Sequence, residues 1–284
     1  MKLGIVTPAL TLLPRAHAQW EAAASFDDVV AVVREAEQLG YHHCTCSEHV
    51  GVPSGVAKVR GGRYFDPLAT FGALGAHTST IRFAAHVVVL GYHHPLAIAK
   101  RYGTLDVVTG GRVILGVGVG SLQEEFELLG APFDDRGERA DDAMRALRAA
   151  LSQRLPSYHG KYYDFEDFLI DPCAQQSHVP MWVGGRTLRS LRRAVELGDG
   201  WAPFGLRTAE LAEMLARVEV PEGFEVVLQN EHPLDPVAEP ERVREQLARF
   251  AGIGATAINA RFVHHSRAHY CEQLAALVAV TPPE

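Results

Sequence analysis

Four short stretches of this chain combine residue types that could do chemistry. Ser47-Glu48-His49 sets a carboxylate beside an imidazole, which offers proton transfer near neutral pH. The plainer reading is a polar strand end with its hydrogen bonds satisfied. Ala84-Ala85-His86-Val87 puts small residues ahead of a histidine, so a planar ligand could approach closely, although core packing alone favours the same small residues. Gly116-Val117-Gly118-Val119-Gly120-Ser121 alternates three glycines, which clears one face for a ring or a backbone to pass. It is not the dinucleotide fingerprint, because no GxGxxG opens a helix here. Gly184-Gly185-Arg186-Thr187 brings glycines, a guanidinium and a hydroxyl to the start of a helical stretch, a combination suited to phosphate.

Metal chemistry finds less support. The pairs His42-His43, His93-His94 and His264-His265 are adjacent residues, and neighbours on a strand point to opposite faces. No metal site is expected. Cys44 and Cys46 lie two apart on a strand-like segment, so they share a face and do not form a metal knuckle.

The elements that must position these stretches alternate along the whole chain. Strand-like segments fall at 3–8, 41–47, 81–90, 113–119, 180–183, 200–204, 225–229 and 255–260. Helical segments fall at 26–39, 66–78, 95–109, 124–129, 136–151, 187–197, 208–218, 240–251 and 266–278. Asp66-Pro67 reads as a cap followed by proline at the first helical position, and Gly40 and Gly110-Gly111 read as helix stops. The aromatic stretch 156–178 carries Tyr158, Tyr162, Tyr163, Phe165 and Phe168 and reads as an excursion packed on the body of the protein. Eight strand–helix units without a composition break predict one (β/α)8 barrel over residues 1–284, with function at the strand C-termini; a doubly wound open sheet gives the same alternation and remains the rival.

Bulk properties remove several classes. A chain of 284 residues with 47% hydrophobic residues can bury one large core. A net charge of −7 argues against a nucleic-acid partner. No apolar run reaches the roughly 18 residues of a membrane span, and the N-terminus shows no signal-peptide pattern. Four scattered cysteines fit a reduced, cytoplasmic protein.

The order of motifs is itself distinctive. LGYHHCTCSEHV (39–50), the run from RYFDPLATF through HHPLAIAKRYGTLDVVTGGRVILGVGVGSLQEEFELLG (63–130), FDDRGERADDAMRALRAAL (133–151) and PMWVGGRTLRSLRRAVELGDGWAP (180–203) together resemble the bacterial luciferase-like monooxygenase family, in its compact coenzyme F420-dependent branch. The last ~80 residues match only loosely. The resemblance implies a TIM-like barrel whose deazaflavin or flavin ring lies across strands three and four, at Ala85, His86, Val87, Gly118 and Gly120. It implies that phosphate is held by Gly184, Gly185, Arg186 and Thr187. It implies a non-proline cis peptide at Ala85–His86 or His86–Val87, the second preferred. His49, with Glu48, becomes the candidate proton donor or substrate-orienting group.

The implied reaction is hydride transfer between coenzyme F420 and a small organic substrate in a homodimer. The alternatives are an FMN-dependent monooxygenase using reduced flavin and O2, and a non-catalytic flavin-binding barrel. Arg60, Arg63 and Arg186 are candidates to meet the cofactor's charged tail. His86 stands where relatives carry a small residue, so it could block, tune or hydrogen-bond the ring, and Ser121 replaces a common tryptophan. Asp142 is expected to form an ion pair with Arg136, and Glu124 and Glu125 to favour their helix electrostatically.

Overall fold

The computed structural model describes residues 1–14 and 16–281. Eight parallel strands form a closed ring: β1 Lys2–Val6, β2 His43–Cys46, β3 Arg82–Ala85, β4 Val113–Gly118, β5 Met181–Gly184, β6 Gly200–Ala202, β7 Glu225–Gln229 and β8 Ala257–Ala260. β1 lies between β8 and β2, and pairing of Phe83 with Val113 joins β3 to β4 and closes the barrel. The open-sheet rival is thereby excluded. β3 is interrupted after Ala85 and resumes at Val88–Val89, which pair with Val117 and Gly118.

Period-two alternation sorts the strand residues into two layers. Ala84, Ile114, Trp182, Ala202, Val227 and Ala257 fill the inside of the barrel. Ile5, Cys44, Cys46, Phe83, Leu115, Val183 and Ile258 pack in the larger core that includes the buried helix faces. Both cysteines share that outer layer, as their spacing predicts. His43 is fully buried, donates from Nε2 to Asn259 Oδ1 at 2.6 Å and meets Trp182 edge-on. Burial, and next to it His42, pushes its pKa down to about 3, so it is a neutral interior side chain. The adjacent His42 and His43 do meet, Nδ1 to Nδ1 at 3.0 Å, despite the opposite-face rule for strand neighbours, because His42 precedes β2.

Helix starts follow their caps. Ser25, Asp66 and Ser266 each accept a backbone N–H of the first turn of the helices Phe26–Gln38, Pro67–Gly75 and Arg267–Val280. Gly40, Gly110 and Gly111 follow helix ends with positive φ. Two short helices that carry little periodicity, Gln19–Ala23 and Ser54–Arg60, occupy stretches to which the sequence pattern assigns no element. The aromatic excursion contains a small hairpin, Tyr158–His159 against Asp164–Phe165. Among the described residues, no helix is long and apolar enough to cross a membrane.

Close approach of β3 to β4 requires Gly116: a Cβ there would lie 1.7 Å from the Ala85 carbonyl oxygen. Gly116→Ala is therefore expected to cost about 1–3 kcal/mol or more. Gly72→Ala, in a helix and meeting nothing within 4 Å, is expected to be neutral or stabilising. Urea unfolding midpoints of the two variants check the contrast.

Candidate active site

Glu48 and His49 are neighbours in sequence but do not pair with each other. Glu48 is buried and accepts from the Val89 backbone N–H at 2.6 Å and from His93 Nε2 at 2.7 Å. It thus ties the end of β2 to the second half of β3. His49 instead donates from Nδ1 to Glu125 Oε2 at 2.7 Å and packs edge-on to Tyr64, with ring centroids 4.4 Å apart. The carboxylate–imidazole couple expected from the sequence is two couples, each completed by a residue from another strand end.

Glu125 lies in the first turn of its helix as expected, and has a further role that the sequence did not reveal. It is fully buried and accepts from His49 Nδ1, Tyr92 Oη (2.7 Å), Val50 N (2.5 Å) and Gly51 N (3.1 Å). It is a hub between loops, whereas the exposed Glu124 keeps the expected surface position. Phe126, also fully buried, holds it there. A Cβ at Gly91 or Gly120 would lie 2.5 or 2.6 Å from the Phe126 ring, so glycine at both positions admits the ring and draws the helix Gln123–Leu128 inward. Burial alone would raise the Glu125 carboxyl. The hydrogen bonds from Tyr92, Gly51 and His49 outweigh it and hold the group below the usual carboxylate range.

The peptide His86–Val87 is cis, the second of the two bonds anticipated. The glycine run does clear space, but a side chain of the chain itself takes it. Val87 lies where a Cβ on Gly118 or on Gly184 would be, 2.5 Å from its two methyl carbons. The backbone-passage reading holds at Gly116 and the ring-passage reading is corrected at Gly118: Val87 forms the top layer of the barrel filling. His86 donates from Nε2 to the Ala202 carbonyl at 3.0 Å and meets Phe204 edge-on. Its imidazole is thus tethered to β6, and burial disfavours its charged form, against the opposing Ala202 bond.

After β5, Gly185 takes φ +119, a conformation suited to glycine, and Thr187 caps the helix Leu188–Leu197 by accepting from Ser190 N at 3.2 Å. Arg186 and Thr187 are exposed. A ten-residue helix start, a glycine turn and an exposed guanidinium fit a cofactor phosphate. The other arginines expected near a charged tail are engaged: Arg63 donates to the carbonyls of Glu21 and Ala22, and Arg60 to Ser121 Oγ. Ser121 thereby ties to the helix Ser54–Arg60 that follows β2.

Two further arrangements differ from expectation. Asp142 does not pair with Arg136. It accepts from Tyr158 Oη (2.6 Å), Tyr162 N (2.7 Å) and Tyr163 N (3.1 Å), and so suspends the aromatic excursion. Arg136 lies over the Phe133 ring and donates to Gly120 O. On the β1–β8 side of the mouth, Glu21 accepts from Ala9 N and Ala18 N, both at 2.7 Å, and lies 3.5 Å from His264 Nε2. Trp20 donates to His264 Nδ1 at 2.8 Å. At the opposite end of the barrel a groove of about 530 Å³ is lined by Arg145, Arg148, Glu196 and Asp199, whose charges neutralise one another in pairs. Among the described residues, no group of three or more metal-ligating side chains converges.

The model of the luciferase-like monooxygenase family matches residues 1–229. The chain belongs to that family. An uncharacterized protein of Mycobacterium tuberculosis is 32% identical over 211 residues, covering 70% of this chain and 73% of its own. An F420-dependent glucose-6-phosphate dehydrogenase of Microbacterium testaceum is 29% identical over 181 residues, 62% of this chain and 52% of that protein. In fold, the chain is similar to a type II Baeyer–Villiger monooxygenase from Pseudomonas putida in complex with FMN, with a TM-score of 0.72, 14% identity and coverage of 98% of this chain and 96% of that one. This luciferase-like barrel is therefore an oxidoreductase, and its relatives in sequence include both F420-dependent and FMNH2-dependent enzymes.

The His264 cluster gives this luciferase-like barrel a pH dependence. Burial, with help from His269 and His265, pushes the His264 pKa down to about 4, below the ordinary ~6.5 of an unfolded histidine. The neutral form is the folded form, so its contribution is complete above ~6.5 and is lost as pH falls from there towards about 4. His264→Gln is expected to flatten the fall of melting temperature across that interval, which thermal melts between pH 7 and pH 4 measure.

Proposed function

We propose that this protein uses coenzyme F420 for hydride transfer to or from a small organic substrate. One juxtaposition carries the reading. The His86–Val87 bulge, the phosphate-suited turn Gly184–Thr187 and the carboxylate-bonded His49 all lie at the C-terminal ends of the strands, where barrels of this class collect function. The likeness to an F420-dependent dehydrogenase over 62% of the chain supports a deazaflavin, and a likeness to an FMNH2-dependent monooxygenase over 45% of the chain supports the second reading given below. The bound deazaflavin would supply the hydride chemistry, and the protein the binding, orientation and protons.

The chain's residues divide that work. Gly185, Arg186 and Thr187 would hold phosphate at the helix start. His86 and Val87, with Gly118 behind Val87, would form the surface that the ring rests on, whereas Ala85 packs in the outer core and Gly120 faces Phe126 and Val89. His49 would hold or release a proton at Nε2, because its Nδ1 is committed to Glu125. Glu48 would act as an anchor, keeping the Val89 backbone and the His93 ring in place beneath the site. The working form would be a cytoplasmic homodimer, as the family resemblance implies.

A second reading follows from the FMN complex of a barrel of the same fold: reduced flavin and O2 acting together as a monooxygenase. A titration of the purified chain with F420 and with FMN separates the two. Tighter binding of F420 is expected, and tight FMN binding without F420 affinity overturns the proposal. Arg186→Ala is expected to weaken F420 at least tenfold, about the loss of one charge-assisted hydrogen bond. His49→Gln is expected to lower turnover by about 10²–10⁴ while leaving the F420 titration unchanged. Retained cofactor binding without turnover over a broad panel of alcohols and ketones, already in the unsubstituted protein, would favour a cofactor-carrying barrel.

A further inference from the structure

Four donors converge on the buried Glu125 carboxylate, two on each oxygen. Oε2 takes His49 Nδ1 and Tyr92 Oη, and Oε1 takes the backbone N–H groups of Val50 and Gly51. An ionised carboxylate has about four acceptor positions and no donor, so this one is fully used. A neutral carboxyl would have to turn a proton towards one of the four donors. We propose that Glu125 is the positioning residue of His49: it fixes the Nδ1–H tautomer and so makes Nε2 the nitrogen that exchanges a proton. This rests on the reading of His49 as the proton-carrying group, but its content, the tautomer, can be measured without any turnover.

The geometry separates this role from simple loop anchoring. In Glu125→Gln the amide presents one acceptor and one donor edge. Backbone N–H groups can only donate, whereas an imidazole can exchange its donor and acceptor nitrogens. The amide oxygen therefore turns to Val50 and Gly51, and the NH2 faces His49 Nδ1, which must become the acceptor. The substitution is isosteric and keeps the loop tied, yet it inverts the tautomer and moves the His49 proton to Nε2. Tyr92→Phe removes one donor from Oε2 and leaves the His49 bond in place.

Nitrogen-15 NMR of the full chain labelled at histidine reads both ring nitrogens of His49, assigned by comparison with His49→Gln. In the unsubstituted protein at neutral pH, Nδ1–H is expected to dominate the neutral form by at least about tenfold, the ratio one charge-assisted hydrogen bond sustains. Glu125→Gln is expected to reverse that ratio, and Tyr92→Phe to leave it unchanged while lowering the melting temperature slightly. A neutral His49 already in the Nε2–H form in the unsubstituted protein overturns the proposal, whether or not the Gln variant folds. So does a Glu125→Gln protein that melts earlier but keeps the Nδ1–H tautomer, since that is anchoring alone. If His49→Gln retains turnover, the proton-carrying role fails and the tautomer assignment to Glu125 stands.

Discussion

Val87 has to fit somewhere, and much of the barrel mouth follows from where it goes. Its two methyl groups occupy the places where side chains of β4 and β5 would otherwise begin, at Gly118 and Gly184. Gly116 lets the Ala85 carbonyl approach β4 at the same level. With those three positions bare, β3 can break its ladder after Ala85, turn out over His86 and rejoin at Val88. Any of these glycines replaced by a larger residue would force the strands apart where the bulge crosses them. The break also delivers His86 to β6, where the Ala202 carbonyl holds its ring.

Around this steric core the polar groups are cross-linked between strand ends. Glu48 grips the resumed part of β3, and Glu125 grips the loop leaving β2. Each buried carboxylate has an imidazole among its donors, and all of its donors come from segments other than its own. A buried charge is tolerated only with such pairing, and removing one partner costs more than the bond itself. The mouth is therefore rigid at its base, while the loops above it carry the exposed groups. Across the β1–β8 seam the buried Glu21 holds the Ala9 and Ala18 backbone N–H groups and lies 3.5 Å from His264.

The barrel was legible because period-two and helical patterns persist through all eight units, and the β7 boundaries coincide with those observed. The glycine turn and threonine cap before the helix Leu188–Leu197 were legible because those residue types at a helix start have a local meaning. Glu125 was not: it lies in an acidic, amphipathic run, and Phe126, seated against Gly91 and Gly120, turns it inward. The Asp142–Arg136 pair failed for a related reason. Asp142 satisfies hydrogen bonds from a segment that periodicity cannot place, and Arg136 finds an aromatic face three residues upstream. The glycine run was read correctly as cleared space, but sequence does not say whether a ligand or a neighbouring valine fills it.

The suspension of the aromatic excursion from Asp142 has an evolutionary reading. The segment hangs from a helix on the outside of the barrel through Tyr158, Tyr162 and Tyr163 and contributes no strand to the ring. Its interior can lengthen, shorten or be exchanged while the suspension points persist, without disturbing strand register. A lineage could diversify what enters from that side of the mouth by swapping one module, leaving the bulge and the buried carboxylates as inherited ground plan.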